Sequence, residues 1–184
     1  MSPETLSTER LLLRRWRPED ADALASLNAS PEVGRFLGGP MPRDASDAML
    51  GRMRAHWDAR GFGVWALEHG GAFVGLAGIM VPRWESRFSP CVEILWRTLP
   101  AFWGRGLVTE AARAALGDGF ARHAFPEVLA FTVPANERSW RVMERLGMTR
   151  SPEDDFDHPL VAEGDPLRRH VVYRIKREAW ATSG

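Results

Sequence analysis

The spacing of apolar residues changes period several times along the chain, and each change predicts an element. Leu11, Leu12 and Leu13, flanked by Arg14, Arg15 and Trp16, read as a first strand. Pro18-Glu19-Asp20 then opens a helix that carries Ala21, Leu24, Ala25 and Leu27. Gly38-Gly39-Pro40 breaks the chain, and residues 44–60 predict a second helix with Leu50, Met53 and Trp57 on one stripe. Residues 63–67 and 73–81 are short apolar runs joined through Gly70-Gly71, a hairpin signal. A third run, 91–96, follows a loop at 82–90.

From Leu107 the three- and four-residue steps return, through Val108, Ala111, Ala112, Ala115, Leu116 and Phe120, and predict a helix over 107–122. Its small alanines permit close docking on a sheet. Gly117 and Gly119 each cost about 1 kcal/mol relative to alanine, so the last turns must lean on tertiary packing. Residues 128–133 predict a buried strand, and 137–146 a short helix that stops at Gly147, one position past its end. Residues 151–167 are polar and proline-punctuated, and 168–176 closes as a strand. A strand, two helices, three strands, a helix, a strand, a helix and one or two final strands make a mixed α/β sheet with helices on both faces.

Composition narrows the class. A chain of 184 residues is expected to form a single domain, 1–184, able to bury roughly 70% of its unfolded surface. The net charge of zero supplies no global field for nucleic acid or an anionic membrane. No run approaches the ~20 apolar residues that span a bilayer. Met1-Ser2-Pro3-Glu4 places an acid at the start with no apolar run behind it, unlike a secretory signal. The single cysteine, Cys91, suits a reducing compartment. A cytoplasmic protein, monomer or homodimer, without nucleic-acid or membrane partners is the expectation.

The candidate chemistry begins at Ala101-Phe102-Trp103-Gly104-Arg105-Gly106, between a strand and the 107–122 helix. Glycines there let backbone N–H groups approach an anion, and the helix N-terminus adds unpaired donors. Arg105 can add a full charge. A pyrophosphate fits this chemistry, although a Gly-x-Gly before a helix can equally be a tight turn. Gly-Lys-Ser/Thr is missing, which removes a P-loop, and Thr109 takes the third glycine position of a dinucleotide fingerprint.

Four segments carry a further signal: Thr8-Glu9-Arg10-Leu11, the stretch from Trp103 through Gly104, Arg105, Gly106, Leu107, Val108 and Thr109 to Ala111, Asn136 with Ser139, and Glu144-Arg145-Leu146-Gly147-Met148. Together with the order of elements they resemble the GNAT superfamily of N-acetyltransferases, closer to its ribosomal-protein alanine acetyltransferase subgroup. The likeness covers nearly the whole chain and is most specific over 92–148. One departure is Ala101, where the superfamily's loop usually begins with Arg or Gln. Backbone donors carry most of the phosphate binding, so cofactor binding is expected to survive it.

The resemblance implies a mostly antiparallel sheet with one splayed parallel strand pair, acetyl-CoA as co-substrate and no metal. The pantetheine arm would lie between strands 91–98 and 128–133, against the backbone of Trp96, Arg97 and Thr98, where an N–H polarises the thioester carbonyl. Residues 103–109 would take the pyrophosphate, and Asn136 would face the arm. An amine acceptor, a small molecule or a peptide N-terminus, attacks directly while Glu93 takes its proton, directly or through one water. Glu93 interrupts an otherwise apolar strand, where burial raises a carboxyl pKa. It could equally lie on an open face or pair with an arginine.

Ser139, Tyr173 or water would protonate the leaving thiolate, since Met143 stands where many relatives carry a tyrosine. Asn136 is also placed to cap the 137–146 helix, a contribution of ~1 kcal/mol. Phe36-Leu37-Gly38, Trp57, Trp65 and Trp84 are candidate acceptor-pocket walls or ordinary core. Asp154-Asp155-Phe156-Asp157-His158 lacks metal-ligand spacing and reads as a solvated acidic loop able to favour a cationic amine. Two rival readings remain at this level: a non-catalytic acyl-CoA-binding sensor, for which Glu93 is dispensable, and an interaction domain with an empty loop.

Overall fold

In the computed structural model, which describes residues 3–182, nine strands form one sheet. They are β1 (Thr5–Ser7), β2 (Leu12–Arg14), β3 (Val64–His69), β4 (Ala72–Met80), β5 (Glu93–Thr98), β6 (Glu127–Thr132), β7 (Thr149–Arg150), β8 (Phe156–Asp157) and β9 (Arg169–Lys176). The spatial order is β1-β2-β3-β4-β5-β6-β9-β7, with β8 added along β9. Helices α1 (Ala21–Ala29), α2 (Pro31–Gly34), α3 (Arg43–Arg60), α4 (Leu107–Arg122), α5 (Glu137–Arg145) and α6 (Arg177–Ala181) complete the chain. Met1 and Ser2, which entered the reading of the N-terminus, lie outside the described residues.

Every neighbouring pair is antiparallel except β5 and β6. That parallel contact holds one register pair, Glu93 opposite Leu129, with the Leu129 N–H donating to the Val92 carbonyl at 3.0 Å. Beyond it the strands part. The fold is therefore the expected mixed, mostly antiparallel sheet with a splayed parallel pair.

Strand alternation sorts the apolar residues onto two faces. On one, Ala111, Ala115 and Leu116 of α4 and Val142 and Met143 of α5 pack on Ala77, Ile79, Ile94, Val128 and Ala130. On the other, Leu24 and Leu27 of α1 and Leu50 and Met53 of α3 cover Val64, Ala66 and Leu76. The glycine cost in α4 has a packing reason: a Cβ at Gly119 would fall 2.5 Å from Ile79 Cδ1. At the sheet edge, buried Arg14 forms a bidentate pair with buried Asp20 at 2.6 and 2.7 Å and donates through Nε to Glu68 at 2.6 Å.

Several expectations need correction. Trp57 and Trp65 are ordinary core residues, 2% and 1% exposed, and neither borders the cavity beside Arg97; Trp57 instead touches a hollow at Arg14, Arg15 and Arg54. The Trp57 and Trp16 indoles both donate to the Val64 carbonyl, at 2.9 and 2.8 Å, using both its lone pairs. Asn136 stands at the N-cap position of α5 but its side chain does not cap. It donates to Thr132 Oγ1 at 3.0 Å instead, which ties the helix entry to the end of β6. The acidic loop is not simply solvated: Asp154 pairs with Arg174 and Arg87, Asp155 with Arg150, and Asp157 with Arg168 and Arg169.

Candidate active site

The glycine loop bends through two left-handed glycines, Gly104 (φ 73°) and Gly106 (φ 77°), and Gly106 forms the N-terminal boundary of α4. Residues 104–106 are exposed, as an anion cradle requires. Trp103 Nε1 donates to the Thr98 carbonyl at 2.9 Å, fixing the loop to the end of β5. The Arg138 guanidinium lies 4.4 Å over the Trp103 ring and brings the first turn of α5 to the same place. Leu107 and Thr98 are buried, so each can offer a ligand only its main chain.

A support that the sequence did not reveal lies behind this loop. Arg10 donates through Nη1 to the Arg105 carbonyl at 2.9 Å and through Nε to Glu110 Oε2 at 2.7 Å. The Arg10 N–H and the Thr8 hydroxyl both donate to Glu110 Oε1, at 2.9 and 2.6 Å. Segment 8–11 thus holds both the loop and the first turn of α4. Pairing an arginine with a glutamate 100 residues away leaves no periodic trace in one sequence.

On β5, Ile94 and Trp96 pack into the α4 side, while Leu95, and with it Glu93 and Arg97, faces the α1 and α3 side. Glu93 is half-buried, and among the described residues it has no ion pair or hydrogen-bonded side-chain partner. The arginine-paired reading of Glu93 therefore fails. Burial lifts its carboxyl to a pKa of about 7, against the pull of the Arg97 guanidinium. Burial likewise brings Arg97 down to about 10, opposed by the Glu93 charge.

Two features flank Glu93 on this face. Towards Arg97, a cavity of about 190 Å³ lies beneath the turn after α2; Leu37 and Gly38 line it and Phe36 does not. On β6, Leu129 stands opposite Glu93, and Phe131, two positions on, shares its face. Around Phe131 gather Trp84 at 5.3 Å, Phe156 at 5.5 Å and Phe88 at 6.1 Å. The rings of His158 and His170 lie 4.9 Å apart beside Phe156, and burial lowers both their pKa values. Of the aromatic residues singled out in sequence, Trp84 alone joins this wall.

Ser139 lies in the first turn of α5, half-buried, beside Arg138. Tyr173 is directed elsewhere: its hydroxyl donates to Glu144 Oε1 at 3.4 Å, towards the far end of α5. Cys91 precedes β5, and burial pushes its thiol pKa up, which disfavours a nucleophilic role. Among the described residues no helix is long and apolar enough to cross a membrane.

Comparison with known proteins agrees with this geometry. A family model described as an acetyltransferase (GNAT) domain matches residues 10–149. The Bacillus subtilis (strain 168) protein named uncharacterized N-acetyltransferase YnaD is 25% identical over 176 residues, 95% of this chain and 98% of its own. The crystal structure of an acetyltransferase from Agrobacterium tumefaciens str. C58 superposes with a TM-score of 0.76 at 30% identity, covering 95% of each chain. RimL, a ribosomal L7/L12 alpha-N-protein acetyltransferase solved in complex with coenzyme A, shares the fold with a TM-score of 0.71 at 14% identity, covering 97% of this chain and 98% of its own.

Proposed function

The chain belongs to the GNAT acetyltransferase family, an acetyl-CoA-dependent N-acetyltransferase, and on that premise we propose how its own residues divide the work. The whole chain acts as one N-acetyltransferase domain. The left-handed glycines and the α4 N-terminus, residues 103–109, hold the pyrophosphate, and the arm enters the gap between β5 and β6 along the backbone of Trp96, Arg97 and Thr98. Asn136 and Ser139 border that gap from the other side. RimL's complex with coenzyme A is a precedent on the same fold for this ligand.

The acceptor is a primary amine, on a small molecule or a protein N-terminus. Its nitrogen attacks the thioester carbonyl; a C–N bond forms, the C–S bond breaks, and Glu93 takes the amine proton directly or through one water. A carboxyl with a pKa near 7 is half ionised at neutral pH, the poise a general base needs. The observation that carries this reading is Glu93 itself: half-buried, free of any direct ion pair or hydrogen-bonded side chain among the described residues, and placed where β5 and β6 begin to part. The departing thiolate takes a proton from Ser139 or water, because the Tyr173 hydroxyl is engaged by Glu144. The balanced charge and the reducing-compartment signature favour a cytoplasmic enzyme, monomer or homodimer, without nucleic-acid or membrane partners.

Acceptor-dependent release of free thiol from acetyl-CoA, measured across a panel of amines and N-terminal peptides, tests the reading. Tight coenzyme binding without thiol release from any amine would overturn it.

A further inference from the structure

Arg97 is a half-buried guanidinium with no direct anionic partner among the described residues. Nη1 donates to Asn28 Oδ1 at 2.8 Å and approaches the Met49 thioether at 3.6 Å, both neutral groups. A guanidinium has five N–H donors; the Glu93 carboxylate on the same strand face acts on this one through its field, but among the described residues no carboxylate makes a direct ion pair with it. Arg14, a buried arginine of the same sheet, is met by two carboxylates, Asp20 and Glu68. Holding a charge whose direct hydrogen-bond partners are all neutral is costly unless a counter-charge arrives to meet its free donors.

The open side of Arg97 is a wall of the 190 Å³ cavity, whose other walls include Asn28, Leu37, Gly38, Gly39 and Met41. None of these carries charge. Gly38 (φ 89°) and Gly39 (φ 102°) keep the far wall bare, since a Cβ at either would meet nothing within 4 Å. The coenzyme's own anions do not supply the missing partner. The glycine loop runs into α4, on the opposite face of the sheet from the Arg97 side chain.

We infer that this cavity receives a carboxylate carried by the acceptor, so that the acceptor is an amino acid or a similarly sized amine with a carboxylate a few bonds from its nitrogen. Arg97 anchors the carboxylate through its planar fork, and the amine end lies towards Glu93. Four strand steps of ~3.3 Å separate the two Cα atoms by about 13 Å, and two long side chains on one face close much of that span. This inference rests on the acetyl-transfer reading, and it names the substrate class of that same site.

Matched acceptors test it: free amino acids, their methyl esters, the decarboxylated amines and aminoalkyl phosphates, each with the full chain and saturating acetyl-CoA. Thiol release from the acids is expected to exceed that from esters and amines at least tenfold in kcat/KM, mainly through KM. Arg97→Gln is expected to erase that preference with coenzyme affinity unchanged, and Arg97→Lys to keep part of it. Equal rates for acid and ester on the unaltered enzyme would overturn the inference, as would preference for the phosphates. That comparison stands even if an Arg97 variant fails to fold. Should no amine react at all, the acetyl-transfer reading fails separately, and thermal shift decides the cavity. Stabilisation by the acids and not by their esters supports it; no shift overturns it.

Discussion

Arg10 and Glu110 lie a hundred residues apart in the chain and meet in a two-pronged contact, Nε at 2.7 Å and Nη2 at 2.6 Å from Oε2. The same guanidinium grips the Arg105 carbonyl, so the N-terminal segment sets the shape of the glycine loop. The ion pair is partly exposed and contributes little by itself. The charge-assisted bond to the carbonyl is the larger part, about 1 kcal/mol, or roughly fivefold in affinity. Arg10→Ala is therefore expected to raise KM for acetyl-CoA about fivefold while leaving kcat nearly unchanged. Steady-state kinetics at saturating acceptor would show it.

Removing the proposed base acts on the other parameter. Glu93→Gln is expected to lower kcat by 10²-fold or more, within the range general bases supply, with coenzyme affinity preserved. The unaltered enzyme should gain activity as pH rises through about 7, where Glu93 ionises, and the variant should lose that limb of the profile. A variant profile with the same rising limb near pH 7 would assign it to another group.

The same carboxyl makes a stability prediction of opposite sense to an ordinary ion-paired acid. Its folded pKa, about 7, lies above the unpaired value of 4.5. Ionisation thus costs stability, a cost absent below pH 4.5, growing between 4.5 and 7 and complete above 7. Glu93→Gln is expected to stabilise the fold by on the order of 2 kcal/mol at pH 8, a gain that shrinks towards pH 4.5. Denaturant midpoints at the two pH values would measure it.

Asp20 behaves conventionally. Burial alone would raise its pKa, but the Arg14 guanidinium and the Arg17 N–H outweigh burial and hold it below 3.8. Its stabilisation is present above pH 3.8 and is lost as pH falls through the lowered value. Asp20→Ala strands the buried Arg14 charge with Glu68 alone, and a loss of about 3 kcal/mol is expected from urea unfolding at pH 7. Replacing the exposed Asp22 should cost well under 1 kcal/mol.

Long periodic segments made most of this fold legible. The α3 and α4 stripes and the Gly70-Gly71 hairpin follow from spacing alone, and Gly147 closes α5 with φ 80° as its position suggested. β1, β7 and β8 were not legible, because two or three residues carry no period. Within the candidate site, the left-handed turn at Gly104 and Gly106 could be read because local backbone chemistry defines it, while its role towards an anion rested on the order of the surrounding segments. Glu93 stood out as a charge in an apolar strand. Glu93 and Arg97 share one face of β5, and nothing in a single sequence tells that the turn at 37–41 arches over Arg97. The ring of Trp84, Phe88, Phe131 and Phe156 is assembled from three separate loops and strands, which spacing along the chain does not relate.

The single register pair between β5 and β6 has a mechanical consequence. Strands β1 to β5 form one hydrogen-bonded ribbon and β6 to β9 another, and the seam between them is stitched at Glu93–Leu129. α4, which begins at the β5 end and leads into β6, is their common brace. Without coenzyme the seam is expected to exchange faster than the interior of either ribbon, a difference hydrogen exchange would read. A pantetheine arm laid into the seam would bond to both edges and fuse them. Amides of residues 94–98 and 130–132 should then exchange with the slow rates of the sheet centre, so that the substrate serves as a structural member of the enzyme that consumes it.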